Sequence, residues 1–223
     1  MQVTIFTYNR EEMLRELIKT VPDHFDLAVI DDGSDYVDAL KMFPAKDFNH
    51  FEHTGKKGFW MKWDYAIKHC KESTQNWFLF LPDDITNVDF DAIENLTKQG
   101  WEDNYLAINL SNSGARYRWG KWSSGQSDIK VDGVLLQECG YVDGCFLTNR
   151  KTLEQITIDP VPSSWFDRPD KSSGVGFQMS KKLRKLGCAM MLPEYSYLYH
   201  GDHDSVMHKE HRKAVPLISK MKK

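Results

Sequence analysis

The chain has 223 residues, 41% hydrophobic and 27% charged, with a formal net charge of -3. That length buries one good core, and those fractions exclude a disordered chain. No apolar run approaches the roughly 20 residues that a membrane span needs, so no membrane partner is expected.

Val3 to Thr7 reads as a short buried strand at the very start, with no basic leader before it. The expectation is a cytosolic protein, in the host cytoplasm if the chain is viral. A helix from about Arg10 to Thr20 follows, with Met13, Leu14, Leu17, Ile18 and Val21 at helical spacing. Leu27 to Ile30 is a second strand, closed by the polar turn Asp31-Asp32-Gly33-Ser34, and His50 to His53 is a candidate third. Gly55 and Gly58 punctuate a basic turn before a helix that carries Trp60, Trp63, Ala66 and Ile67. Trp77 to Leu81 is the strongest strand and stops at Pro82-Asp83-Asp84. Strands alternating with helices, each ending in a polar turn, indicate an α/β fold with a mostly parallel central sheet.

The second half is less regular. Tyr105 to Leu110 is a strand, a polar stretch runs from Ser111 to Gln126, and Tyr141 to Thr148 is another strand. A helix ends at Lys181 to Leu186 with Gly187 as its cap, and Ala189 to Leu192 is extended. One domain is expected over residues 1–213, in two halves (1–110 and 111–213), with a basic tail over 214–223. Cys70, Cys139, Cys145 and Cys188 show no C-x-x-C pair. They are expected to be small buried hydrophobes, not zinc ligands or disulfides. Charge divides unevenly, at -9 over residues 1–110 and +6 over the rest. An acidic half beside a basic half suits a metal site facing an anionic ligand, and equally a solvated surface.

Ligands of open α/β sheets bind beyond the carboxyl ends of the strands. Three polar clusters stand there: Thr7-Tyr8-Asn9-Arg10, Asp31-Asp32-Gly33-Ser34 and Pro82-Asp83-Asp84. Adjacent carboxylates after an apolar strand are costly unless solvated, hydrogen-bonded or neutralised. Mn2+ or Mg2+ with diphosphate oxygens meets that need, because hard cations take carboxylate oxygens and keep positions open for phosphate.

In order, Val3 to Arg10, Val29 to Ser34 and Phe78 to Asp84 resemble the N-terminal motifs of GT-A glycosyltransferases, especially the family-2-like group. The resemblance implies a GT-A, Rossmann-like domain that binds a nucleotide-diphosphate sugar, a UDP-sugar above all. It implies that Tyr8, in the motif with Thr7 and Arg10, stacks on the base and that Asp32 hydrogen-bonds it. It further implies a DXD-type motif in Asp83-Asp84, with Asp83 beside the nucleotide and Asp84 on the metal. Lys56 and Lys62 fall where such enzymes close over the nucleotide and are candidates to touch phosphate. His200, late in the chain, resembles a third metal ligand, and His208 and Arg212 are candidates to clamp the departing diphosphate. Gly140 to Phe146 resembles the strand lining the sugar pocket, which makes Asp143 a candidate catalytic group. The chain departs from inverting members where a Glu-Asp pair is usual, since Val175-Gly176 stands there. Asp143, Asp167 and Asp170 are the carboxylates near enough to replace it.

The acceptor is read from Arg116, Arg118, Trp119 and Trp122, which interleave cations with aromatic rings. Such a run suits sugars, and it also suits stacked bases and phosphates. Size and the basic second half resemble the TET-associated glycosyltransferases of phages, whose acceptors are hydroxymethylated pyrimidines in DNA. A cell-surface glycan is the alternative acceptor, and a non-catalytic carbohydrate- or DNA-binding module is the alternative class. A nucleotidyltransferase is disfavoured because Thr7 to Arg10 has no phosphate-cradling glycine.

Overall fold

The computed structural model describes residues 1–36, 47–111, 128–142, 144–165 and 174–200, without the side chains of Lys56, Lys57 and His200. The elements are β1 (Gln2–Thr7), α1 (Glu11–Thr20), β2 (Asp26–Asp31), β3 (Asp47–His50) and α2 (Gly55–Glu72). Next come β4 (Trp77–Pro82), β5 (Ile85–Thr86), α3 (Phe90–Thr97), β6 (Leu106–Asn109), β7 (Ile129–Val131) and β8 (Val134–Glu138). The chain continues with β9 (Phe146–Asn149), α4 (Arg150–Gln155), α5 (Val175–Lys185), β10 (Ala189–Pro193) and β11 (Tyr199–His200).

Nine strands form one sheet in the order β3-β2-β1-β4-β9-β6-β10-β8-β7. The block β3-β2-β1-β4 is wholly parallel, and of the nine only β9 and β8 run against the common direction. The strands read as continuous apolar runs because both faces are covered, and the period of two divides each run between two cores. Along β4, Trp77, Leu79 and Leu81 pack on the side of α1 and α3, whereas Phe78 and Phe80 pack on the side of α2 and α5. On the first side Leu14, Leu17 and Ile18 of α1 and Phe90, Ile93 and Leu96 of α3 close the core. On the other, Trp63, Ala66 and Ile67 of α2 join Val175, Met179 and Leu183 of α5. Burying one such side chain stabilises the fold by about 1.5–3 kcal/mol, so these two layers hold the strand ends in place.

Two expected strands are shorter or displaced. The third is Asp47–His50, not His50 to His53, because the parallel register pairs Asp31 with His50 and residues 51–53 leave the ladder beyond it. The later strand is Phe146–Asn149, not Tyr141 to Thr148. Ahead of it side chains satisfy the backbone: Asn109 Nδ2 donates to Tyr141 O, and Val142 N donates to Ser180 Oγ. The β7–β8 hairpin, α3 and α4 were not anticipated. Asp132 and Gly133, at φ 49 and 81, make the two-residue turn that the hairpin needs. All four cysteines are free and buried, as expected. Burial pushes the thiols of Cys70 and Cys188 up to about 12 and that of Cys139 to about 11. Among the described residues no helix is long and apolar enough to cross a membrane.

Candidate active site

The parallel block delivers the carboxyl ends of β1, β2 and β4 to one edge, and backbone bonds continue past the strands there. Asp32 N donates to Thr7 O, and Asp83 N donates to Phe6 O. Three clusters far apart in sequence thus become neighbours.

On one side lies the Asp83–Asp84 pair, both residues buried. Asp83 is tied through both oxygens. Oδ2 accepts from Thr7 Oγ1 at 2.8 Å and Tyr8 N at 3.2 Å, and Oδ1 accepts from Arg10 Nη1 at 3.0 Å. The same Arg10 Nη1 lies 2.7 Å from Asp84 Oδ2, so one guanidinium bridges the pair. Burial pushes the Asp83 carboxyl up to about 6. Arg10 opposes that shift, and the like charge of Asp84 adds to it. Burial would lower the Arg10 pKa, but Asp84 and Asp83 outweigh it and the net direction is upward. Tyr36 completes this side, its hydroxyl 2.9 Å from Thr7 Oγ1 and accepting from Arg10 N at 2.9 Å.

Across the β1 end lies Asp32, also buried. Lys62 Nζ, from α2, sits 2.6 Å from Asp32 Oδ1, an ion-pair distance without the alignment of a hydrogen bond. Lys62 is 1% exposed and also donates to Glu52 O and Thr54 Oγ1. His53 Nδ1 lies 3.1 Å from Asp32 Oδ2, and its ring stacks on that of Tyr8 at 4.0 Å with 8° between the planes. Asp31 turns the other way, accepting from Ser34 N and pairing with Ser34 Oγ and His50 Nδ1, so it shapes the turn.

Gly33, at φ 82, makes this arrangement possible. A Cβ there would lie 2.6 Å from His53 N and 2.8 Å from Phe51 O, so glycine lets the segment after β3 close onto Asp32. Gly58 serves the same end, because a Cβ on it would overlap Thr54 Oγ1, one of the acceptors of Lys62.

The structure therefore brings together Thr7, Tyr8, Arg10, Asp32, Lys62, Asp83 and Asp84. Lys62, expected near phosphate, instead spends its charge on Asp32. The small antiparallel sheet pairs His200 with Ile85, which sets the backbone of His200 beside the residue that follows Asp84. The side chains of His200 and Lys56 are not among those described, and Asp143, Asp167, Asp170, Arg116, Arg118, Trp119, Trp122, His208 and Arg212 lie outside the described residues. Sequence reading missed His53 and Tyr36 and did not foresee the bridge made by Arg10. Tyr36, close behind the Asp31-Asp32 turn, was within reach of a local signal, whereas His53 lies 21 residues from Asp32 and Arg10 lies 73 from Asp83.

Among the described residues no three His, Cys, Asp or Glu side chains gather as a metal centre. The oxygen donors of Asp83 and Asp84 nevertheless suit a hard divalent cation. Two buried carboxylates at one strand end demand positive charge, and here Arg10 supplies it from the rim.

Residues 2–157, more than half of the chain, match the sequence pattern of Glycosyl transferase family 2. No curated protein matches the chain. Among solved structures, S. aureus TarS 1-349 aligns with a TM-score of 0.52 at 15% identity, over 90% of this chain and 60% of that one. The mannosyltransferase PcManGT from Pyrobaculum calidifontis, solved with GDP-Man and Mn2+, aligns at 0.49 and 17% identity, over 86% of this chain and 54% of that one. The galactosyltransferase LgtC, solved with donor and acceptor sugar analogues, aligns at 0.49 and 15% identity, over 85% and 73%. The chain spans 60% of the TarS chain, and the likeness is one of fold: the α/β architecture is that of GT-A enzymes.

Proposed function

The chain belongs to Glycosyl transferase family 2, and from that premise we propose that it moves a sugar from a nucleotide-diphosphate sugar to an acceptor hydroxyl. The observation that carries this reading is the convergence of Tyr8, Asp32 and Asp83-Asp84 at one sheet edge, joined through Thr7. A stacking ring beside a buried carboxylate suits a nucleobase, and a buried carboxylate pair one strand away suits its cation-bound diphosphate.

In this reading the base stacks on Tyr8 and donates a ring N–H to Asp32, as uracil does through N3. Asp83 is a positioning residue, since its bonds to Thr7 Oγ1, Tyr8 N and Arg10 lock the base side to the metal side. Asp84, with His200 approaching from the β11–β5 ladder, would hold Mn2+ or Mg2+. When bound, the cation supplies charge neutralisation on the departing diphosphate, the largest electrostatic contribution expected in such a transfer. His208 and Arg212 would add cationic hydrogen bonds to the same group. Asp143, Asp167 or Asp170 would deprotonate the acceptor if the reaction inverts. For the acceptor we favour 5-hydroxymethylpyrimidine in DNA. The support is the alternation of Arg116, Arg118, Trp119 and Trp122 and the +6 charge of residues 111–223, both of which suit a stacked polyanion.

Asp84→Asn tests the core of this reading. Transfer should fall by roughly 10²–10³-fold, as for loss of one major charge-stabilising group, while the variant still folds. Unchanged turnover, or full activity in EDTA, removes the metal from the scheme. A mass-spectrometric screen of nucleotide-sugars with manganese, run against hydroxymethylated DNA and simple glycans, decides the acceptor. Transfer to glycan alone replaces DNA with the glycan reading.

A further inference from the structure

Tyr8 and Asp32 offer a planar ligand two things, a ring face and a carboxylate at its edge. One side chain of the protein already takes both. The imidazole of His53 lies flat on Tyr8 at 4.0 Å and 8°, and its Nδ1 meets Asp32 Oδ2 at 3.1 Å. A carboxylate only accepts, so Nδ1 carries the proton and donates it to Asp32. A ring that stacks on Tyr8 while giving a ring N–H to Asp32 repeats the two contacts assigned to the donor's base.

The surroundings fix the backbone at this point and leave the ring to move. Lys62 donates to Glu52 O and to Thr54 Oγ1, the neighbours of His53 on either side. Gly33 runs so close to His53 N and Phe51 O that a Cβ on it would meet both. The His53 side chain is 35% exposed, whereas that of Asp32 is 8%. Uncovering Tyr8 and Asp32 would need a change of rotamer at this one partly exposed ring, a class of motion that takes picoseconds to nanoseconds in exposed side chains.

We propose that His53 is an internal surrogate for the nucleobase, competing with it for Tyr8 and Asp32 and displaced when the donor binds. The inference rests on the assignment of Tyr8 and Asp32 to the base. Two consequences follow from competition. The fraction of molecules with His53 swung away scales the apparent donor affinity. The site also favours bases that replace the lost N–H, uracil through N3 and guanine through N1. Cytosine and adenine present a ring nitrogen lone pair at that position, so neither returns to Asp32 Oδ2 the ring N–H that His53 gave it.

Calorimetric titration of UDP, GDP, CDP and ADP into wild type, His53→Ala, His53→Gln and Asp32→Ala tests this. His53→Ala should tighten UDP or GDP at least about fivefold, in keeping with removal of one charge-assisted hydrogen bond and one ring stack that the base must otherwise displace. CDP and ADP should bind more weakly than both in every variant that keeps Asp32. Unchanged or weaker UDP and GDP binding by His53→Ala overturns the proposal, and so does equal binding of all four nucleotides. If Asp32→Ala leaves UDP and GDP affinity unaltered, the base-pocket assignment itself has failed. If Asp32→Ala weakens them while His53→Ala does not tighten them, only the displacement is wrong. Proton NMR of the wild type gives a readout independent of variant stability. The His53 Hε1 resonance, assigned by its loss in either histidine variant, should start upfield under the Tyr8 ring current and move downfield as UDP or GDP saturates. A resonance that stays in place shows the base docking with His53 still stacked, and that also overturns the proposal.

Discussion

The two carboxylate sites at the sheet edge solve the same electrostatic problem in different ways. Asp32 is neutralised by Lys62, 1% exposed and tied to three groups on two segments. The Asp83–Asp84 pair is neutralised by Arg10, whose side chain is 13% exposed and reaches in from the first residues after β1. A buried ion that is also a structural strut cannot leave without unpacking its surroundings. One held from the rim can give way to another cation. Under the proposed function, the Lys62 pair belongs to the architecture and the Arg10 bridge is the one that gives way to a ligand's cation.

Lys62→Met should produce the largest loss of stability. It keeps the buried stem and leaves Asp32 without its ammonium partner, costing about 3 kcal/mol, the lower end for breaking a buried pair because His53 stays. Urea unfolding reads this directly, and added Mn2+ should restore none of it. A loss below about 1 kcal/mol would mean that Lys62 is no strut.

Arg10→Gln should cost less, on the order of 2 kcal/mol in EDTA, since Thr7 and the Tyr8 amide still hold Asp83. Here Mn2+ should reverse the loss. A cation at about 100 times its dissociation constant adds roughly 2.7 kcal/mol to a native state that alone binds it. Equal Mn2+ stabilisation of both variants, or of neither, would erase the distinction drawn between the two sites.

The smallest effect is a pH dependence at Asp83. Burial raises its folded pKa to about 6 from an ordinary 3.8, so the folded protein holds this proton more tightly than the unfolded chain. Its contribution to stability therefore grows as pH falls through 6, is complete below 3.8, and is absent well above 6. In EDTA, the stability of wild type relative to Asp83→Asn should rise by roughly 1 kcal/mol from pH 7 to pH 5. A flat difference would mean that Arg10 holds Asp83 ionised throughout, making that bridge as permanent as the one at Lys62.

Much of this was legible in the chain before any coordinates. The unbroken apolar run Trp77 to Leu81, apolar at every position because both faces are covered, marked the strongest strand. The acidic turns at Asp31-Asp32 and Asp83-Asp84 marked the strand ends beyond which open α/β sheets bind their ligands. Those are local patterns, fixed by a period of two and by the cost of burying charge. Less local features escaped. The third strand was placed three residues late because its register is set by β2, 19 residues away in the Asp31–His50 pair.

By itself the sequence determined an α/β sheet with polar clusters at three strand ends, two of them carboxylate pairs, since hydrophobic periodicity and turn chemistry are encoded within a few residues. Only the tertiary structure decided which cation answers which carboxylate. Lys62, read as a phosphate contact, became the partner of Asp32, 30 residues before it, and Arg10 became the bridge to Asp83, 73 residues ahead. Charge pairing across such distances depends on how α2 docks on the sheet and on glycines that open the space, Gly33 and Gly58. A Coulomb partner is chosen by distance and burial in space, and neither is written in the order of residues along the chain.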